Sequence, residues 1–266
     1  MAQLKIPHST STLKPGFNPD SVPRHAKQSR FVISEDQESV MNTYSDPYVS
    51  YGSAPQLELI EQSFGMVLAD TVLDFKTNKL FYFEIEITDA EAYPENSVDE
   101  WSARVGLADI GILNDRRINV YALGDKQFDQ GLVSVGYDSR TNSVYSNGSV
   151  ANTTFDVPGF YKGDVIQFLV DASTNQVLIA KNGYDSGYST ILEDGALTTG
   201  LLAPAVTLPP GWGARLRMAK EDLLYAPFEY FSGRSVSYFE PADNVVAIKN
   251  IAVTGFATSS SPSDAF

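Results

Sequence analysis

Three carboxylates lie close together on one short stretch of the sequence. In "EIEITD" Glu84, Glu86 and Asp89 fall two and three residues apart, and on an extended strand the first two side chains stand on the same face. Two carboxyls about 5 Å apart, one nucleophile and one acid, are what retaining glycoside hydrolysis requires. The competing reading is a solvent-facing acidic stripe. Other catalytic chemistry has little to work with. The two histidines, His8 and His25, both fall in a Ser/Thr/Pro-rich N-terminal stretch, so a Ser-His-Asp arrangement or a His-built metal site needs that stretch to fold back onto the body. The chain has no Cys, which removes disulfides, thiolate metal sites and Cys nucleophiles together. Phosphate-cradling glycine loops are absent as well.

Binding asks for less than catalysis. A sugar site wants exposed aromatic platforms near amides and carboxylates, and Tyr93, Trp101, Tyr121, Tyr184, Tyr188 and Trp212 are the candidates. Core or loop packing is the ordinary use of each. Trp212, flanked by Pro209-Pro210-Gly211 and Gly213, is the ring most expected at the surface. The Asp/Asn-rich stretch from Asp109 to Asp115 offers oxygen ligands, but its spacing matches no calcium loop. Asn147-Gly-Ser149 and Asn152-Thr-Thr154 fit glycosylation sequons, which matter only in an exported protein.

The 266 residues carry a formal charge of −14, which disfavours nucleic acid as the main ligand. The charge is unevenly spread. Residues 1 to 30 hold Lys5, Lys14, Arg24, Lys27 and Arg30 against Asp20 alone, a surplus of +4 that leaves −18 on the other 236 residues. This basic arm lacks the apolar content to fold alone. It is either a loose terminus or an extended segment that docks on a neighbour's acidic surface through those five cations. "MAQLKIPHSTSTLKPG" lacks the apolar run of a secretory signal, and no stretch approaches the roughly 20 apolar residues of a membrane span. The expectation is a soluble protein made in the cytoplasm, with no membrane contact.

Any site must be positioned by strands, because 14 Tyr, 15 Phe and many short Val/Ile/Thr runs suit a pleated sheet. In "KLFYFEIEIT" Phe81, Phe83, Ile85 and Ile87 fall on one face and form a core side. Leu80, Tyr82, Glu84 and Glu86 fall on the other, read as mixed and partly wet. "WSARVGLAD" repeats the alternation through Trp101, Ala103, Val105 and Leu107. "LVSVGYD" and "SVYSNGS" follow at the spacing of an antiparallel sandwich. In "GDVIQFLVDASTNQVLIAKNG" Ile166, Phe168 and Val170 point one way, Asp171 to Asn175 turn the chain, and Asn182-Gly183 makes a second turn. "LLAPAVTL" and "ARLRM" add two strands around the Pro209 to Gly213 loop. "NVVAIKNIAVTGFA" reads as one or two further strands, and "TSSSPSDAF" as a disordered tail or a second docking arm.

From about Phe75 to Gly233 the order of these pieces resembles the SPRY family, a β-sandwich module related in shape to the concanavalin-like lectins. "YFEIEI", "ARVGLAD", "GDVIQFLVDASTNQVLIAKNG" and "LLAPAVTL" carry the resemblance, and "LLYAPFEYFSG" looks like the family's closing segment. The resemblance implies an all-β antiparallel sandwich, a jelly roll with extended N- and C-terminal arms. The expected division is a basic arm over 1–30, the sandwich over 31–233 with the signatures from 75, and a C-terminal strand segment and Ser/Pro tail over 234–266. The laminarinase-like hydrolases share this sandwich shape and carry an E-x-D-x-x-E strand. Here Glu stands where Asp should be, and Asp where Glu should be.

What the resemblance implies about function is a non-enzymatic binding module, without cofactor or metal, that meets a protein or peptide partner through loops at one end. The loop aromatics Tyr93, Tyr121, Tyr184 and Trp212 are the surface candidates, and the five arm cations the docking ones. With its basic arm and C-terminal segment, and without Cys or an attached ring-finger or receptor domain, the chain resembles a virion component of a bacterial virus: a head decoration, a fibre or a tail-associated protein. Its partners are then other virion subunits, including copies of itself. A carbohydrate- or host-surface-binding lectin-like module is the alternative.

Overall fold

A strand with alternating apolar residues buries one face, and a sheet of such strands needs a second layer to cover it. The structure is a computed structural model, described for residues 16–21, 31–43, 65–73, 80–90, 102–111, 122–125, 133–152, 159–183, 188–191 and 202–225. Among these, thirteen strands form two antiparallel sheets. Numbered in chain order, the seven-stranded sheet runs β1 (Phe31–Ile33), β2 (Ser39–Asn42), β13 (Gly213–Arg217), β4 (Leu80–Asp89), β9 (Val165–Asp171), β10 (Gln176–Lys181) and β11 (Tyr188–Ile191). The six-stranded sheet runs β3 (Gly65–Leu68), β12 (Leu202–Leu208), β5 (Arg104–Asp109), β6 (Ser134–Asp138), β7 (Val144–Ser146) and β8 (Ser149–Asn152). The all-β antiparallel sandwich expected from the sequence is the fold.

The core lies between the sheets, where Phe81, Phe83, Ile85 and Ile87 of β4 meet Val105 and Leu107 of β5 and Val135 and Tyr137 of β6. Phe83 and Phe168 are register partners on β4 and β9, and their rings stack with centroids 5.0 Å apart. Each large apolar side chain buried this way contributes about 1.5–3 kcal/mol. The turns are those the sequence signals. Asp171 accepts the Ser173 N–H at 2.9 Å, and Asn182 and Gly183 close the β10 turn at φ 54° and 76°.

The outer faces depart from the expectation of a partly wet surface. On the seven-stranded sheet Tyr82 and Glu84 are fully buried, because residues 219–225 cross over them. Leu223 packs on a cluster of Leu80, Tyr82 and Leu169. On the six-stranded sheet Ala122–Asp125 forms a second strap. The Leu123 N–H donates to Thr207 Oγ1 at 2.9 Å, and the Gly124 N–H to Ser134 Oγ at 2.7 Å. The strap lies flat because Gly106 and Gly136, register partners on β5 and β6, offer no side chain. A Cβ on Gly136 would stand 2.4 Å from the Leu123 carbonyl oxygen.

Arg104 fastens this second strap. Its Nε donates to Asp138 at 2.8 Å, and its Nη1 to Asp125 at 2.7 Å and to the Leu123 carbonyl at 3.1 Å. The guanidinium stands 4.0 Å from the centre of the Tyr145 ring. Burial works against the charge, but the Asp125 and Asp138 carboxylates outweigh it and hold the guanidinium above its ordinary pKa.

The basic stretch is not loose over its whole length. Phe17 is fully buried in the main core. Its N–H donates to the Gln37 carbonyl in the β1–β2 turn at 2.7 Å, and the Asn18 N–H to the Leu68 carbonyl of β3 at 2.8 Å. A single Phe in a polar stretch gives no periodicity, so the sequence pattern does not reveal this anchor.

Candidate functional site

One end of the sandwich brings together the last residues of β4, the Asn182-Gly183 turn after β10, the β12–β13 loop and the turn that precedes β9, and this last turn projects from it. The Gly159–Asp164 stretch passes from buried to exposed between Phe160 and Tyr161. Phe160 is fully buried between Tyr137, at 5.3 Å, and Trp212, at 6.2 Å edge-on. Tyr161, the next residue, is 60% exposed. Asp164 closes the turn by accepting the Tyr161 N–H on Oδ2 at 2.8 Å. Gly163 and Asp164 are tied to β4 through the Ile87 carbonyl and N–H at 2.8 and 2.9 Å.

The charges beside this turn are paired within it. Lys162 reaches Asp89 at 2.6 Å, both side chains being largely exposed. Lys181 donates to the Gly159 carbonyl at 3.1 Å and lies 3.6 Å from Asp164, whose other carboxylate oxygen takes Asn182 Nδ2 at 2.7 Å. Beneath the turn, burial foremost, and then the Asp164 and Asp138 carboxylates, raise the Tyr137 phenol above its ordinary pKa. What the arrangement offers a partner is an exposed aromatic ring on a hydrogen-bonded turn, beside the Lys162–Asp89 ion pair. An aromatic side chain on a fixed backbone gives contact area at little conformational cost.

Trp212 corrects the sequence reading. It is 1% exposed, with its ring edge-on against Phe160. The Pro209 to Gly213 loop folds inward rather than out: the Trp212 N–H donates to the Pro209 carbonyl at 3.2 Å, and Asn42 of β2 exchanges backbone bonds with Gly211 and Trp212 at 2.9 Å each. The flanking Pro and Gly residues make a tight turn, and the tightness buries the ring. Tyr161 was not among the aromatics singled out. An Asp three residues after it, with Gly163 between, is a turn signal that could have marked it.

The carboxylates of "EIEITD" have three separate structural duties. Glu84, fully buried, accepts the Tyr82 hydroxyl at 2.8 Å and the Leu224 and Tyr225 N–H groups at 2.8 and 2.9 Å. Gln167 extends this network, donating to the Tyr82 hydroxyl at 2.8 Å and accepting the Gly183 N–H at 2.6 Å. Glu86 takes Arg217 Nη2 at 2.5 Å and Nε at 3.1 Å, and Asp89 takes Lys162. A hydrolytic pair needs two carboxyls facing one open site, and Glu84 lies beneath the 219–225 strap. The solvent-facing stripe fails too, since the first of its acids is inside.

Asp109 caps its own turn through the Gly111 N–H at 2.7 Å. Among the described residues no group of three or more His, Cys, Asp or Glu side chains could hold a metal ion. Lys5, Lys14, Arg24, Lys27, Arg30, Tyr93, Tyr121 and Tyr184 lie outside the described residues.

No family model matches the sequence, and no curated protein matches it either. Among solved structures the chain is similar to the SPRY domain of human HERC1, at 15% identity and a TM-score of 0.49, covering 76% of this chain and 97% of that one. It is similar to a second human SPRY domain at 19% identity and a TM-score of 0.44, over 70% and 94% of the two chains. The TRIM65 PSpry domain matches at 13% identity and a TM-score of 0.44, over 76% and 90%.

Proposed function

We propose that this protein is a non-enzymatic recognition and assembly module, which turns a rigid end surface towards a protein partner and docks on its neighbours through its terminal segments. The observation that carries the reading is the Tyr161–Asp164 turn, which presents an exposed aromatic and is tied to β4 through Gly163 and Asp164. Aromatics of this kind are the usual energetic centres of protein contacts. The setting proposed is the virion of a bacterial virus, as a head decoration, fibre or tail-associated subunit, with the protein made in the host cytoplasm. The +4 on residues 1 to 30 against −18 on the rest supports repeated contacts between like subunits.

The test uses tagged full-length protein produced during infection. It should co-purify with virus particles, and its absence from them would overturn the virion setting. Tyr161→Ala should lower affinity for the partner found there about 30-fold, the loss of roughly 2 kcal/mol typical of an aromatic anchor. Unchanged affinity in Tyr161→Ala combined with Lys162→Glu would overturn the end surface as the contact.

A lectin-like reading stands second, favoured by the same exposed ring beside the Lys162–Asp89 pair, since a sugar stacks on such a platform. Saturable glycan binding that Tyr161→Ala abolishes would put it first.

A further inference from the structure

The two sheets together have four edges, and three of them are accounted for. β8 and β11 lie against each other along one side of the sandwich. On the other side β3 is flanked by residues 16–21, with Ser21 Oγ accepting the Leu68 N–H at 3.0 Å. The fourth edge is β1. It pairs with β2 on one side, and among the described residues no strand pairs with its other side.

At three residues the edge is short, which itself limits pairing, but it lacks the chemical guards. Natural sheet edges carry Lys, Pro, bulges or inward charges that discourage another strand from pairing. Phe31, Val32 and Ile33 have none of these, and β2 is uncharged as well. Val32 and Met41, register partners, stand together on the outer face with exposures of 56% and 37%. The turn that joins the two strands is acidic, with Glu35 and Asp36 exposed. Hydrogen bonds from the Ser34 hydroxyl and the Glu38 N–H hold the Asp36 carboxyl below its ordinary pKa.

The first fifteen residues complement this face. They begin beside it, because Gly16 and Phe17 lie against Gln37 of the same turn. In Leu4-Lys5-Ile6 they offer alternating apolar and basic side chains, with Lys14 further on. Fully extended, fifteen residues reach about 50 Å, enough to cross to a second molecule. Five of the described cations of the body, Arg104, Lys162, Lys181, Arg215 and Arg217, are ion-paired with the chain's own acids. Two bodies of net negative charge repel each other, and the surplus of +4 on residues 1 to 30 offsets that repulsion.

We propose that the β1 edge and its Val32–Met41 face form the docking site for residues 1–15 of a second copy of this chain, the arm adding a strand to β1 and its lysines meeting the acidic turn. The proposal rests on the assembly reading above and gives it a contact. Because each arm starts beside its own face, a two-fold axis near the β1 edges lets two copies exchange arms reciprocally.

The test is self-association of purified full-length protein by sedimentation, with no particle or target present, so that its failure leaves the end-surface test untouched. Wild type should associate, less so as salt rises. A face variant, Val32→Lys with Met41→Lys, and an arm variant, Lys5→Glu with Lys14→Glu, should each weaken association by about tenfold or more. Their thermal midpoints should stay at the wild-type value. If the double face variant is less stable, Met41→Gln alone provides the same comparison. Mixing the two variants should recover association, since an intact arm then meets an intact face. A monomeric wild type, an arm variant that associates normally, or a mixture that stays apart each overturns the proposal.

Discussion

The carboxylate of Glu84 accepts the backbone N–H of Tyr225 at 2.9 Å across 141 residues of chain. With the Leu224 N–H on its other oxygen, it is the fixed point that holds the 219–225 strap on the sheet. Glu84→Ala leaves two N–H groups and the Tyr82 hydroxyl without their acceptor and should cost about 2–5 kcal/mol. Glu84→Gln keeps one acceptor oxygen and should cost less. Urea unfolding measures both, and hydrogen exchange at Leu224 and Tyr225 should rise in the order wild type, Gln, Ala. Equal exchange in all three would show that the strap is held by Leu223 packing instead.

Alkali should find Tyr137. Its folded pKa is raised above the ordinary value near 10, so above about pH 10 the unfolded chain loses the proton while the folded chain keeps it. The stability linked to this phenol is complete below that pH and falls by up to about 1.4 kcal/mol per pH unit above it. Tyr137→Phe should remove that part of the slope between pH 10 and 11.5 and leave the neutral-pH profile parallel to wild type. Identical slopes would mean that the other tyrosines account for the alkaline loss.

The 122–125 strap depends on the bare backbone beneath it. Gly136→Ala sets a Cβ 2.4 Å from the Leu123 carbonyl oxygen, and overpacking of this kind costs about 1–3 kcal/mol. The strap should lift rather than the sheet yield, because Gly136 is hydrogen-bonded within the ladder. Limited proteolysis between residues 112 and 131 should speed up in this variant, with the sandwich fragment persisting. Unchanged cleavage there would show that the strap tolerates the extra carbon.

The inner faces were legible because their signals are local. Phe81, Phe83, Ile85 and Ile87 alternate within one strand, and Asp171 to Asn175 and Asn182-Gly183 carry their turn chemistry in adjacent residues. The outer faces were not, because what covers them comes from far along the chain. Glu84 reads as a wet acid until Leu224 and Tyr225 are known to lie on it. Nothing near Gly136 in the sequence marks it as the seat of Leu123. Trp212 is different: its own tight loop turns the ring inward, and only its partner there, Phe160, comes from another loop. Tyr161 and Phe160 are adjacent in sequence and opposite in fate, which composition alone does not separate.

Phe17 has a mechanical consequence. It is bonded to the β1–β2 turn of one sheet, and its neighbour Asn18 to β3 of the other, while its ring fills the core between them. A pull on the first fifteen residues is therefore delivered to both sheets and to the core at once rather than to a single edge strand. A chain anchored this way can hang under tension from its own terminus without unravelling from that end.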